Sequence, residues 1–295
     1  MKKVVGLLAL VFGLVLVQPV QAAENQTIAI IDIAIDSSKF TNVVYEVCFT
    51  LNTCPNGKTL TDSKGSYSFS EGKGTASVNN FNIEGVGHGY NMAKIATVIN
   101  PNIKIVFIRI SDEEVYDTFS MITQHGVSMA RALEWISINS SKFNIKAVSI
   151  SQSRSNFPAG TCPKDILVES SVATLKSNNV ATFVATGNDS KKNHIGFPAC
   201  VTGVYSVAGA DANGKVVSFS NINKTTKIIS RNCVNFIKKS CLKIPDYRGK
   251  MTAIDGTSVA TVVAASLAVN KIKDESWDVF VGSLPKIGKY ASLLN

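Results

Sequence analysis

Three side chains far apart in the sequence, Asp32, His88 and Ser258, are of the types that together can attack an acyl bond. A serine hydroxyl is a poor nucleophile until a histidine takes its proton and a buried carboxylate holds that histidine in the right tautomer. Ser258 lies in Asp255-Gly256-Thr257-Ser258-Val259-Ala260-Thr261, at the head of a small-residue stretch that reads as a helix. Asp32 follows Ile28-Ala29-Ile30-Ile31, which places it near the carboxyl end of a buried strand, where open α/β sheets gather functional groups. His88 lies in Gly85-Val86-Gly87-His88-Gly89, directly before Met92, Ala93, Ile95, Ala96 and Ile99, which form one apolar helical face. A helix N-terminus disfavours the imidazolium, so a neighbouring carboxylate must offset that cost if the ring is to act as a base.

A fourth signal is Val184-Ala185-Thr186-Gly187-Asn188 at the end of a strand-like run. An Asn there can donate its side-chain amide to a developing oxyanion, while Gly187 lets the backbone turn sharply. Each signal alone has an ordinary explanation: a strand-end carboxylate, a helix-start histidine, an Asx turn. A nucleotide-binding reading of Asp32 is weakened because no Gly-rich phosphate loop accompanies it. His125 and His194 have no comparable glycine setting and are read as surface or loop residues.

The elements that would position these groups follow a pattern. Apolar, β-branched runs at 27–35, 103–110, 147–151, 180–186 and 204–210 are short and unalternating, as expected for strands buried on both faces. Between them, residues 88–99, 119–137, 166–177 and 257–270 repeat apolar positions at helical spacing. This alternation predicts a three-layer, doubly wound α/β fold, a mostly parallel sheet flanked by helices. Residues 48–84, rich in Gly, Ser, Asn and Lys, read as loop and hairpin, with Asn56-Gly57 a turn candidate.

The chain opens with Lys2, Lys3, an apolar run from Val4 to Val17, Pro19 and the small-residue pattern Val20-Gln21-Ala22-Ala23. This reads as a cleaved export signal over 1–23, because the run is shorter than the ~20 residues a spanning helix needs and a proline follows it. The expected product is one domain over 24–295, secreted or periplasmic and outside the membrane after cleavage. Of the formal charge of +9, Lys2 and Lys3 contribute two, and the remainder is spread along the chain. That distribution reads as a solvated basic surface, with no nucleic acid expected.

Six cysteines in an exported chain suggest disulfides, with fifteen connectivities possible. Cys48 with Cys54 and Cys233 with Cys241 would close short loops, which leaves Cys162 with Cys200 as a long-range pair. A metal site is not expected, since no CxxC or paired His/Cys ligand spacing occurs.

Taken in order, these segments resemble the subtilisin-like serine peptidases (subtilases, the peptidase S8 family). Ile28 to Asp36 is similar to the family's Asp motif, and Gly87 to Val98 to its His-Gly-Thr-His helix. Ala185 to Asn188 is similar to its Ala-Ala-Gly-Asn turn, and Gly256 to Thr261 to its Gly-Thr-Ser-Met-Ala-Thr motif. The order Asp, His, Ser is the known subtilisin order. The resemblance covers 27–269 and implies a subtilisin-like peptidase domain over 24–295. It implies Ser258 as nucleophile, His88 as general base and acid, Asp32 as orienting carboxylate, and Asn188 with the Ser258 N–H as oxyanion donors. Ala147 to Ser153 matches the strand that pairs with substrate, so Ser151, Gln152, Ser153 and Gly187 are expected at the substrate. The loop carrying Asp112, Glu113, Glu114 and Asp117 would border the same cleft and favour basic residues upstream of the cut bond.

The implied partner is a protein or peptide substrate, on a monomer that requires no cofactor. Relatives often bind calcium in surface loops, but no compact acidic loop stands out here. The expected signal runs almost directly into the Asp32 strand, leaving no room for the usual propeptide, so the domain is expected to fold without one, with the disulfides or a separate inhibitor or chaperone protein able to take its role. The match also departs from the family. Ile33 and Ala34 replace a hydroxyl residue and a glycine after the Asp, which removes one potential hydrogen bond to the carboxylate. Tyr90-Asn91 replaces Thr-His, Lys94 a glycine, Val262 a proline and Ser266 a glycine, and a cysteine-bearing segment fills 231–247. The principal rival is a non-catalytic peptide-binding protein on the same fold. An α/β-hydrolase esterase is opposed by the motif order, because its histidine would follow the serine.

Overall fold

The computed structural model describes residues 26–51, 54–63, 65–77, 87–111, 118–233, 243–246 and 248–294, with the backbone alone for 118–126. The chain begins with β1 (Thr27–Asp32), β2 (Val43–Thr50), β3 (Lys58–Asp62) and β4 (Gly65–Glu71). It continues through α1 (Gly87–Ile99), β5 (Lys104–Arg109), α2 (Thr118–Asn139), β6 (Ile145–Ile150), α3 (Ile166–Ser177), β7 (Ala181–Ala185) and β8 (Tyr205–Ala210). After β9 (Ile228–Arg231) come the small hairpin β10 (Lys243–Pro245) and β11 (Met251–Ala253) and the long helix α4 (Thr257–Lys271). The short helix α5 (Trp277–Ser283), β12 (Lys286–Ile287) and β13 (Tyr290–Leu293) close the chain.

Eleven of these strands form one sheet in the order β12-β13-β9-β8-β7-β6-β1-β5-β2-β4-β3. From β13 to β2 every neighbouring pair is parallel, and antiparallel pairing is confined to the two margins. Strand β1 has β5 on one side and β6 on the other, so the order reverses around it. Such a reversal opens a crevice at the carboxyl ends of the strands. Asp32 closes β1 at that end.

Both sheet faces are covered, which explains why these strands are apolar without alternation. Ile28 and Ile30 pack among residues of α1, α4 and α5, whereas Ala29 and Ile31 pack among residues of α2 and α3. Helix α4 is buried along most of its length, from Thr257 to Ser266 without interruption. Its small residues let it lie between the sheet and α1, and each buried Val contributes roughly 1.5–3 kcal/mol relative to an exposed one.

The expected strands and helices are present with ends shifted by a few residues; the first strand stops at Asp32 and not at Ile35. Sequence reading missed β2, β9 to β13 and α5. The hairpin expected within 48–84 is β3–β4, but its turn lies between Asp62 and Gly65. Asn56-Gly57 instead forms a turn just after Cys54, with Asn56 at φ 55° and the Gly57 N–H donating to the Cys54 carbonyl (2.9 Å). Arg131 of α2 holds this hairpin by a bidentate pair with Asp62 (3.0 and 2.9 Å) and by stacking 3.7 Å over the Tyr67 ring.

Cys48 is bonded to Cys54 and Cys162 to Cys200, and Cys233 is disulfide-bonded to a partner outside the described residues. The expected signal segment, the acidic run at 112–117 and Cys241 also lie outside them. No helix among the described residues is long and apolar enough to cross a membrane. The two bridges differ in span, 38 residues for Cys162–Cys200 and 6 for Cys48–Cys54. Loop entropy then gives about 4 kcal/mol for the first and about 2 kcal/mol for the second. Chemical denaturation of the two double Cys→Ala variants is expected to show that ranking; a larger loss at Cys48–Cys54 would contradict it.

Candidate active site

Asp32 has no solvent exposure, and its donors come from three separate segments. Its Oδ1 accepts from the Ile33 N–H (2.8 Å), His88 Nδ1 (2.8 Å) and Gln152 Nε2 (3.3 Å). The other oxygen, Oδ2, is buried without a partner among the described residues. His88 is the second residue of α1, and its side chain is 30% exposed. The helix start can come this close to β1 because the next residue is Gly89. A β-carbon there would collide with the Ala34 carbonyl oxygen and come within 2.6 Å of Phe107 Cζ.

Burial of the imidazole opposes its protonation, but the Asp32 charge and the hydrogen bond to it outweigh that cost. His88 therefore titrates above the ordinary imidazole value. With Nδ1 engaged, Nε2 is the nitrogen left for chemistry.

Ser258 stands at the second position of α4 and is 9% exposed. Its Oγ donates to the Ser151 carbonyl (3.0 Å), and Ser151 Oγ donates back to the Ser258 carbonyl (3.2 Å). The hydroxyl hydrogen thus rests on the β6 edge and not on His88. Asn188 follows β7, beyond Gly187 at φ +104°, a conformation that favours glycine. The Asn188 Oδ1 accepts from both the Thr257 N–H (3.0 Å) and Thr257 Oγ1 (2.9 Å), and Thr257 Oγ1 also accepts from the Gly187 N–H (3.2 Å). With its oxygen held this way, the amide must present Nδ2 outward as a donor. The first turn of α4 has N–H groups without intrahelical partners. Thr257 gives its N–H to Asn188, and the next one belongs to Ser258.

The structure brings Asp32, His88, Ser258, Asn188, Gly187 and 151–153 to the carboxyl ends of the adjacent strands β1, β6 and β7. Three contributions escaped sequence reading. Thr257 orients Asn188, and its place between Gly256 and Ser258 was the available signal. Gln152 reaches Asp32, for which the sequence held no local sign. Ser155 and Asn221 pack beside Gly187. His194 lies in a loop as expected but is buried, its ring 4.6 Å from that of Phe157, which corrects the surface reading. His125 falls in α2, its side chain outside the described residues. No cluster of three or more His, Cys, Asp or Glu among the described residues could hold a metal ion.

The pairing of Asp32 with His88 sets a titration. In an NMR titration of the ring protons, the His88 midpoint is expected above about 6.5 and to fall towards or below that value in Asp32→Asn. Because the folded value is raised, the stabilisation is full below about 6.5 and is lost as pH rises through the His88 midpoint. A midpoint unmoved by Asp32→Asn would contradict the pairing.

Comparison with known proteins bears on the fold and the family. The chain resembles the solved protease domain of PatA in a serine-to-alanine mutant form, at 20% identity over 92% of both chains and a TM-score of 0.61. It also resembles the prenylagaramide maturation protease PagA, at 20% identity over 90% of this chain and 84% of that one, TM-score 0.59. The nisin leader peptidase NisP from Lactococcus lactis matches at 16% identity over 92% and 85% of the two chains, TM-score 0.60. At these identities the likeness establishes the fold. No curated protein sequence matched the chain. The model of the subtilase family, however, matches residues 23–279, most of the chain, and the chain therefore belongs to the subtilase family.

Proposed function

We propose that this chain is an exported serine endopeptidase that hydrolyses peptide bonds through an acyl-enzyme. The observation that carries the reading is the convergence of the Asp32–His88 pair, Ser258 at the head of α4 and the oriented Asn188 amide on one crevice. Ser258 Oγ attacks the scissile carbonyl carbon as its proton passes to His88 Nε2. The oxygen, now negative, is met by Asn188 Nδ2 and the Ser258 N–H, donors in place before the charge develops. Collapse expels the amine, which takes the proton from His88, and water then releases the acyl group by the same steps. Asp32 keeps the ring in its tautomer throughout. The disulfides support an oxidising compartment, secreted or periplasmic. Protein or peptide substrates are the partners in this reading.

The resting bond from Ser258 Oγ to the Ser151 carbonyl fits this scheme. A peptide laid along 151–153 as an added strand offers its own N–H to that carbonyl and frees the hydroxyl for His88. The same bond favours a second reading, peptide binding without hydrolysis, in which the hydroxyl never leaves Ser151.

Selectivity follows from the crevice between the ends of β6 and β7. A β-carbon on Gly196 would collide with Ser153 Oγ, and one on Gly187 would come 2.5 Å from Asn221 Nδ2 and 3.2 Å from Ser153 Oγ. Next to Ser153 and Gly196 in the chain, Arg154 and Phe197 exchange backbone hydrogen bonds (2.9 and 2.8 Å), which hold the two segments together. Little room remains beside the reacting carbonyl, so the residue before the cut bond should be Gly or Ala.

Turnover of a peptide library by wild type and Ser258→Ala tests both points. Wild type is expected to cut after small residues, Ser153→Gly to widen the range, and Ser258→Ala to lose at least about a thousandfold in kcat. Binding without cleavage by wild type would establish the second reading, and cleavage retained in Ser258→Ala would refute the first. Cleavage after aromatic or long basic residues would refute the narrow pocket alone.

A further inference from the structure

Gln152 was expected to contact substrate, yet its side chain turns to the catalytic carboxylate. Its Nε2 lies 3.3 Å from Asp32 Oδ1, the oxygen that also holds His88 Nδ1, across 120 residues of sequence. The residues following Asp32 offer no side-chain donor, being Ile33 and Ala34, and only the Ile33 main chain contributes a bond. All three donors fall on Oδ1 and none on Oδ2 among the described residues, so the plane of the carboxylate is set by what binds one oxygen. The preceding residue, Ser151, holds the Ser258 hydroxyl through its carbonyl. One dipeptide at the end of β6 thus touches the nucleophile with one residue and the carboxylate with the next.

We infer that Gln152 is a positioning residue of the triad. It supplies from the neighbouring strand the carboxylate donor that the segment after Asp32 lacks, and it registers the substrate-pairing edge to the Asp32–His88 pair. The inference rests on the serine-peptidase reading for its kinetic part only. The positive end of the Gln152 amide offsets part of the negative charge that His88 meets. Among the described residues Asp32 is the charged side chain that acts on His88. The loop after β6 brings the neutral Gln152, α4 the neutral Ser258, and α1 itself Tyr90 and Lys94.

The test compares wild type, Gln152→Leu and Gln152→Glu by two readouts: peptide kinetics as a function of pH, and NMR titration of His88 without substrate. In Gln152→Leu, kcat is expected to fall about tenfold with KM nearly unchanged, the loss of one hydrogen bond to a charged group. The His88 midpoint and the acid limb of the rate should rise together by about half a pH unit. Gln152→Glu keeps the shape but sets a second carboxylate beside Asp32, so the same midpoint should rise further, by about one unit or more. Circular dichroism identifies any variant that fails to fold, and the isosteric Glu variant decides the matter if Leu does not. A His88 midpoint unmoved or lowered in the folded variants, or a change in KM alone, overturns the inference. If wild type proves not to hydrolyse peptides, the catalytic reading fails while the His88 titration still decides the role of Gln152.

Discussion

A carboxylate buried at the end of a strand costs several kcal/mol unless donors and a counter-charge are brought to it. Asp32 is such a group, and much of the architecture around the site is the means of supplying it. Its own chain gives the Ile33 N–H, α1 gives His88, and the strand next to β1 gives Gln152. That supply depends on the reversal of strand order at β1, which sets the ends of β5 and β6 on its two sides. It depends equally on Gly89, because any side chain there would hold the start of α1 away from the backbone after β1. A change to the core that shifts either element by an ångström would disturb this set of three hydrogen bonds.

The second half of the site hangs on α4. A helix this apolar on all faces is stable only when enclosed, and its enclosure between the sheet and α1 fixes where its N-terminus points. Gly256, at φ +129°, turns the chain into the helix, and Thr257 ties the first turn to Asn188 at the end of β7. Ser258, the Asn188 amide and the helix N–H groups are therefore parts of one corner. The same closeness that orders this corner narrows the space between Gly187, Gly196 and Ser153.

The parts legible in the sequence were those whose signal is local. Strands β1 and β5 to β8 read correctly because burial on both faces leaves continuous apolar runs, and α1, α3 and α4 because their apolar spacing is helical. Strand β2 escaped because its first half is only partly buried and its sequence carries Glu46, while α5 spans only seven residues. The candidate residues Asp32, His88 and Ser258 could be named from four ordered motifs, but the contacts that support them could not. Gln152 and Thr257 act across 120 and 69 residues, on partners that only the sheet order brings near. His194 misled for the converse reason, since a polar residue in a loop sequence says nothing about the Phe157 ring that covers it.

Ser258 Oγ stands at the head of α4, held by the Ser151 carbonyl, so the most direct measurement is where an acyl-like electrophile lands. Wild-type protein treated with a fluorophosphonate and mapped by peptide mass spectrometry should carry a single adduct, on Ser258, at a rate that collapses in His88→Ala. An unmodified Ser258, an adduct on another serine, or labelling indifferent to His88 would contradict an assembled Asp32–His88–Ser258 triad.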